Sequence, residues 1–331
     1  MSDSASLPTA VPQGARPRKA DALVSIVIAF YNEEAMVAEL FRELDRAIAG
    51  LDCRVEFVAV NDGSRDGTLP LLQQRLQESH RMVLIDLARN FGKEAALTAG
   101  LAQAKGDAVV VIDADLQDPP ELIGAFLGKW REGFDVVYGL RTSRKADSWF
   151  KRTTANAFYR VFNRITDLPI PESAGDFRLM DRRVVDALLH LPERNRFMKG
   201  LFAWVGFRQT GIAFVRERRA AGRTSWNYWR LWNFALDGIT SFSTAPLRLA
   251  SWLGVAVSFA GFIYAAIIVA RTLAYGIDVP GYASIMVAVM ALGGVQLLCL
   301  GVIGEYLGRL YLEAKQRPLY VVAETYRNDG P

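Results

Sequence analysis

Ala108-Val109-Val110-Val111-Ile112-Asp113-Ala114-Asp115-Leu116-Gln117 is the stretch on which the reading of the fold turns. The apolar run 108–112 reads as a buried strand, and two carboxylates follow it at once. On extended backbone, side chains two apart share a face, so Asp113 and Asp115 are expected to address one site at the strand's carboxyl end. Open α/β sheets place ligands there. Two hard oxygen donors suit Mg2+ or Mn2+ shared with a substrate's phosphates. A plainer reading stands beside it: the two aspartates cap the helix that Pro119 and Pro120 open.

Working outward, further strand patterns lie at 24–30, 55–60, 82–87 and 135–138, with helical patterns at 34–49, 69–78, 94–104 and 121–131. Such alternation implies an α/β domain with right-handed crossovers and a mostly parallel, Rossmann-like sheet covered on both faces. Most of the strands end in a polar cluster: Tyr31-Asn32-Glu33, Asn61-Asp62-Gly63-Ser64, Arg89-Asn90 and Asp113-Ala114-Asp115. Loop chemistry therefore collects along one edge of the sheet. Residues 148–215 read as helices mixed with a loop at 170–178.

The charge is unevenly spread. Of 331 residues 22% are charged, yet none of them lies between Leu249 and Ala270 or between Val279 and Gly304. At 1.5 Å per residue the first run is roughly 33 Å long, enough to cross a bilayer core. Arg248 precedes the first span, and Arg309, Lys315 and Arg317 follow the second, while the loop 274–280 holds only Asp278; Arg271 opposes the pattern mildly. The positive-inside rule then puts the large domain and both termini in the cytoplasm, as a multi-pass protein of the inner (plasma) membrane. Residues 226–232, Trp-Asn-Tyr-Trp-Arg-Leu-Trp, read either as amphipathic helix at the headgroup layer or as a packing helix of the soluble domain. Gly294, Gly301, Gly304 and Gly308 suit close helix contact within or between chains, although glycine is common in membrane helices anyway. The expected division is a disordered tail at 1–22, a catalytic-type domain at 23–220, juxtamembrane amphipathic helices at 221–248, two transmembrane helices at 249–309 and a cytosolic tail at 310–331. No secretory signal is evident, and the two cysteines, Cys53 and Cys299, fall in different regions, which argues against a disulfide framework. A net charge of +4 with basic residues beside the spans favours anionic lipid or phosphate groups over nucleic acid.

Several chemistries are set aside. No glycine-rich dinucleotide turn follows the first strand, and the two histidines show no triad or zinc spacing. Asp62 reads either as an acceptor for a base or ribose or as a turn residue beside Gly63. Lys93 reads as a phosphate or base contact or as a solvated helix start, and Asp176 as a site acid or as half of a buried pair with Arg178.

Taken in order, Tyr31-Asn32-Glu33, Asn61-Asp62-Gly63-Ser64, Arg89-Asn90-Phe91-Gly92-Lys93, Asp113-Ala114-Asp115-Leu116-Gln117 and Gly175-Asp176-Phe177-Arg178 resemble the polyprenyl-phosphate glycosyltransferases, inverting enzymes of the GT-A fold. The resemblance covers about 24–326, and Asp237-Gly238-Ile239, Ser241-Phe242-Ser243 and Ala245-Pro246-Leu247-Arg248 resemble the bactoprenol glucosyltransferase branch most. It implies that Ala29, Tyr31, Glu33, Asp62, Lys93, Asp113 and Ala114 hold a nucleotide-sugar, in this branch a UDP-hexose. It further implies that Asp115, Gln117 and Asp113 hold Mg2+ or Mn2+, that Arg141 and Arg152 receive the lipid phosphate, and that Asp176 and Arg141 act at the reacting centre. Arg219, Gly222, Arg223 and Ser225 fall in a loop that closes over the donor diphosphate in relatives; Ser225 stands where many of them have lysine, and Arg223 is the candidate replacement charge. The acceptor implied is a polyprenyl (undecaprenyl) phosphate, and relatives suggest a homo-oligomer, a tetramer. Two rivals are a processive polysaccharide synthase, whose usual Gln-x-x-Arg-Trp motif is absent, and a non-catalytic membrane scaffold.

Overall fold

The computed structural model describes residues 21–79, 81–141, 174–194, 196, 198–214, 243–275 and 281–328. The apolar runs become β1 (Leu23–Phe30), β2 (Arg54–Asn61), β3 (Met82–Leu87), β4 (Ala108–Asp113) and β5 (Val136–Arg141). Between them run α1 (Val37–Ile48), α2 (Thr68–Glu78), α3 (Lys93–Gln103) and α4 (Leu122–Arg131). Three strands lie where the sequence pattern was silent or misleading: β6 (Ala174–Asp181), β7 (Gln209–Phe214) and β8 (Val322–Asn328). Helices α5 (Arg182–His190), α6 (Met198–Trp204), α7 (Ala245–Tyr275) and α8 (Tyr282–Ala314) complete the described elements.

All eight described strands form one sheet in the order β7-β5-β6-β4-β1-β2-β3-β8. β1 pairs in parallel with β2 on one side and β4 on the other, so the connections depart in opposite directions from this pair and leave a crevice at the carboxyl ends. Strand alternation divides the core. Val24, Ile26, Ile28 and Phe30 pack with α1 and α4 residues such as Leu40, Phe126 and Trp130, whereas Val27, Val109, Val111 and Met180 pack under α3, α5 and α6. The amino end of the sheet is sealed by buried polar groups. Ser25 Oγ donates to Glu56 Oε1 at 2.5 Å, and the Lys105 amide donates to the same oxygen at 2.6 Å. Only the opposite edge is left for chemistry.

The loop expected at 170–178 is corrected: from Ala174 the chain is strand, wedged antiparallel between β4 and β5. Its charged residues disguised a buried strand. Phe177 and Leu179 enter the α4 side of the core, with Phe177 4.7 Å from the Phe126 ring, while Asp176 and Arg178 alternate onto the other face. The stretch 310–331, expected as a tail, also carries structure: β8 pairs antiparallel with β3 and forms the sheet's edge.

α7 and α8 are each long and apolar enough to cross a membrane, and side chains such as Trp252, Phe262, Leu273, Leu297 and Leu310 are exposed along them. The two helices pack as an antiparallel pair, with the Tyr306 hydroxyl donating to the Ser243 carbonyl at 2.6 Å and Cys299 Sγ 3.7 Å from the Ala250 carbonyl. A Cβ added at Gly294, Gly301, Gly304 or Gly308 would meet nothing within 4 Å, so among the described residues these glycines make no close helix contact. At the end of α8 the Arg194 amide donates to Glu313 Oε1 at 2.8 Å, Arg194 also holds the Arg317 carbonyl, and Tyr320 packs against the α3-side core. The start of α7 and the end of α8 therefore lie together, beside the sheet.

A chain ending after Arg317 lacks β8 and bares the β3 edge, an unpaired row of backbone groups. Its apparent melting temperature in detergent is expected to fall and its light scattering to rise; unchanged values would show that β8 contributes nothing to the fold.

Candidate active site

The crevice is built from loops that hold one another. The Asn32 amide donates to Ser64 Oγ at 3.0 Å, and the Arg65 amide returns a bond to Asn32 Oδ1 at 2.8 Å. Glu33 and Glu34 donate their amides to Thr68 and Asp66, and Glu34 Oε2 accepts from the Gly67 amide. The β1–α1 and β2–α2 loops are thus one unit. A third loop joins through Asp62, whose Oδ1 accepts from the Phe91 amide at 2.7 Å and Oδ2 from the Gly92 amide at 2.9 Å. Burial raises the Asp62 carboxyl above its ordinary range, and the two amides, with Arg89, pull it back. Beside the two readings of Asp62, the structure displays a third role, a buried clamp on residues 91–92. Gly63, at φ +64°, packs so closely that a Cβ would lie 2.4 Å from the Arg89 carbonyl carbon.

Lys93 opens α3 behind Gly92, whose φ of +95° turns the chain into the helix. Its ammonium is 2.7 Å from Asp113 Oδ1 and 2.6 Å from Asp176 Oδ2. Topology explains the meeting. Asp113 continues the face of Val109 and Val111, Asp176 shares the face of Arg178 and Met180, and α3 lies over both. Burial alone would lower the Lys93 pKa, but the Asp176 and Asp113 carboxylates outweigh it and hold the ammonium protonated well above the ordinary lysine range. Arg178 donates to the Gly175 carbonyl at 2.7 Å and from Nε to the Asp176 carbonyl at 3.4 Å, and it lies 3.6 Å over the Phe202 ring. Burial pushes Arg178 down to about 10, against the pull of Asp176, Glu94 and Tyr138.

The strand-alternation argument for Asp115 is corrected as well. β4 ends at Asp113, and Ala114 and Asp115 form a turn, so the turn and not strand geometry aims Asp115. Its Oδ1 accepts from the Gln117 amide at 3.2 Å, and Leu116 between them has φ +52°. A bulky residue in the left-handed region is a strained conformation of the kind that collects at functional sites. Neither aspartate caps α4, whose N-cap is Glu121 without a side-chain bond. Ala29 stands in register with Asp113 across β1 and β4, Tyr31 is exposed at the end of β1, and Gln117 is half-buried.

Arg141 ends β5 opposite Phe214, but its side chain, together with Arg152, Arg219, Gly222, Arg223, Ser225 and the segment 226–232, lies outside the described residues, as does the tail 1–20. Among the described residues, no three or more His, Cys, Asp or Glu side chains converge as a metal cage. Asp113 at the end of β4, with Asp115 and Gln117 in the turn after it, offers the oxygen donor types that suit a hard cation of the Mg2+ or Mn2+ kind whose shell is completed by a ligand's phosphates. Glu34, Asp66 and Thr68, which knit the loops with Asn32, were not singled out in the sequence; Asn61-Asp62-Gly63-Ser64-Arg65-Asp66-Gly67 held the signal as a dense cluster of turn formers.

Gly63→Ala adds a clash with the Arg89–Asn90 backbone and a strained φ, a cost of about 1–3 kcal/mol. A lower apparent melting temperature is expected, and a superimposable melting curve would contradict the tight seating of these loops.

The site can be set beside known proteins. Residues 25–189 match Glycosyl transferase family 2, and residues 245–310 match the GtrB C-terminal hairpin. An uncharacterized glycosyltransferase of Synechocystis sp. is 55% identical over 303 residues, 92% of this chain and 95% of that one. The bactoprenol glucosyl transferase of Shigella phage SfII is 44% identical over 306 residues, covering 92% of this chain and 99% of its own. A prophage bactoprenol glucosyl transferase homolog of Escherichia coli is 44% identical over 299 residues, 90% and 98% of the two chains. A solved mannosyltransferase of Pyrobaculum calidifontis in complex with GDP-Man and Mn2+ superposes over 89% of this chain and 90% of its own at TM-score 0.45 and 17% identity, too loosely to bear on substrate or metal. With its mostly parallel sheet, its acidic edge and a hairpin that matches along its length, the chain belongs to glycosyl transferase family 2, as a GT-A glycosyltransferase of the branch that carries the GtrB-type hairpin.

Proposed function

We propose that the protein transfers glucose from UDP-glucose to a polyprenyl phosphate at the cytoplasmic face of the membrane, with inversion at the anomeric carbon and with Mg2+ or Mn2+. The observation that carries this reading is that the likeness to bactoprenol glucosyl transferases runs through catalytic domain and hairpin alike, over 92% of the chain. A soluble acceptor would not need the hairpin. The orientation is supported by Arg248, Arg309, Lys315 and Arg317 at the end of the hairpin beside the sheet.

In this reaction an oxygen of the lipid phosphate forms the bond to the anomeric carbon while the bond from that carbon to the UDP oxygen breaks. UDP leaves with the electron pair, and attack from the opposite side inverts the configuration. A phosphate monoester, with a second pKa near ~6, is already largely dianionic at neutral pH and needs no base to take a proton from it. Asp176 therefore serves to orient the sugar, held in place by Lys93. Asp113, Asp115 and Gln117 would hold the divalent ion, whose chemistry when bound is to neutralise charge developing on the departing diphosphate. The knitted loops at 31–34, 61–68 and 89–93, held from beneath by the buried Asp62, offer Tyr31 and Glu33 to the nucleotide as a preorganised surface.

Purified protein incubated with radiolabelled UDP-glucose, Mn2+ and undecaprenyl phosphate is expected to yield labelled lipid with the β configuration. Label from another nucleotide-sugar but not from UDP-glucose would overturn the donor; no labelled lipid from any donor would overturn the reaction. Asp115→Ala is expected to lower turnover by about 10²-fold or more at an unchanged melting temperature, the scale of losing a group that stabilises transition-state charge. Near-normal turnover would remove Asp115 from the site.

A further inference from the structure

Both carboxylate oxygens of Asp113 lie within reach of one cation that the protein itself supplies. Lys93 Nζ is 2.7 Å from Oδ1 and 2.9 Å from Oδ2 of Asp113, and 2.6 Å from Asp176 Oδ2. Its backbone is fixed on both sides. Asp62 grips the amides of Phe91 and Gly92, and the Ala95 and Ala96 amides close the first turn of α3 on the Gly92 carbonyl. Movement is left to the side chain, which is 41% exposed and carries its charge on a flexible four-carbon stem.

We propose that Lys93 is a resident counter-cation that occupies Asp113 until a nucleotide diphosphate draws it away, so that the divalent ion and the donor enter the site together. The inference rests on the metal-dependent reading given above. Lys93 offsets carboxylate charge where the ion would sit, and because its ammonium reaches both oxygens of Asp113, an ion seated on Asp113 must displace it. Two cations sharing one carboxylate repel each other strongly at such separations. A diphosphate changes both conditions. It brings negative charge for the metal and gives the ammonium a new anionic partner, which frees Asp113. Lys93 is in this sense a positioning residue: it sets the order of assembly, and it keeps Asp113 and Asp176 in place beforehand.

The test measures Mn2+ binding by electron paramagnetic resonance, with no turnover involved, for the full-length protein with and without UDP. The unsubstituted protein is expected to bind Mn2+ weakly alone and much more tightly with UDP. Lys93→Met should bind Mn2+ without UDP about tenfold more tightly than the unsubstituted protein, the scale on which a neighbouring opposite charge alters a carboxylate's affinity for a cation. Lys93→Arg, which keeps the charge, should retain weak binding without UDP. Lys93→Gln, neutral yet able to hydrogen-bond both carboxylates, should behave as Lys93→Met does and serves if the methionine variant does not fold. UDP-dependent Mn2+ binding that persists with no gain in the neutral variants would overturn the role of Lys93 and leave the glycosyltransferase reading intact. Failure of every protein to bind Mn2+, even with UDP, would overturn both this role and the metal dependence.

Discussion

Two carboxylates from strands far apart in sequence meet on one ammonium at the carboxyl edge of the sheet, and most of the local architecture exists to make that meeting happen. Asp113 ends β4, Asp176 belongs to β6, and Lys93 opens α3; the three come together because β6 runs beside β4 and α3 crosses the same face. Without the ammonium, two half-buried carboxylates would face each other at close range and repel. The Asp62 clamp on the Phe91 and Gly92 amides helps fix the start of α3, from which Lys93 reaches both acids. The constraint is therefore electrostatic first and topological second.

The apolar helix hairpin belongs to the same construction. α8 runs to Ala314, where Glu313 accepts the Arg194 amide, and the chain then enters the sheet as β8. The catalytic sheet is thus tied to the apolar helices through its own backbone hydrogen bonds, and the crevice and the hairpin are parts of one connected frame. Among the described groups, buried polar side chains at the amino end of the sheet, Ser25 with Glu56 and Trp130 with Asp181, serve only the scaffold.

The sequence made the five strands β1 to β5 legible because their Val- and Ile-rich runs are bounded by polar turns, and the four intervening helices because their apolar period is clear. β6 was not legible. Gly175, Asp176 and Arg178 look like a loop until it is known that Arg178 is buried against the Phe202 ring and that Asp176 has a lysine to neutralise it. β8 was missed for the opposite reason: Glu324, Thr325 and Arg327 are ordinary surface residues, and only pairing to the β3 edge makes the segment a strand. At the site, Asp113, Asp115, Asp62 and Lys93 could be named from their place after strands, but not their mutual arrangement, since the Lys93–Asp176 contact spans 83 residues and depends on the unrecognised strand. The turn that carries Asp115 was likewise hidden, because nothing in Ala114-Asp115-Leu116 marks Leu116 for a left-handed backbone.

The account stands on a divalent ion and a nucleotide diphosphate sharing the turn after β4. A structure of the protein determined with UDP and Mn2+ tests this most directly. The account predicts Mn2+ bonded to an Asp115 carboxylate oxygen and to the diphosphate at about 2.0–2.3 Å, with the Lys93 ammonium moved off Asp113 onto a phosphate. Mn2+ bound elsewhere, or UDP lying away from this edge of the sheet, would contradict it.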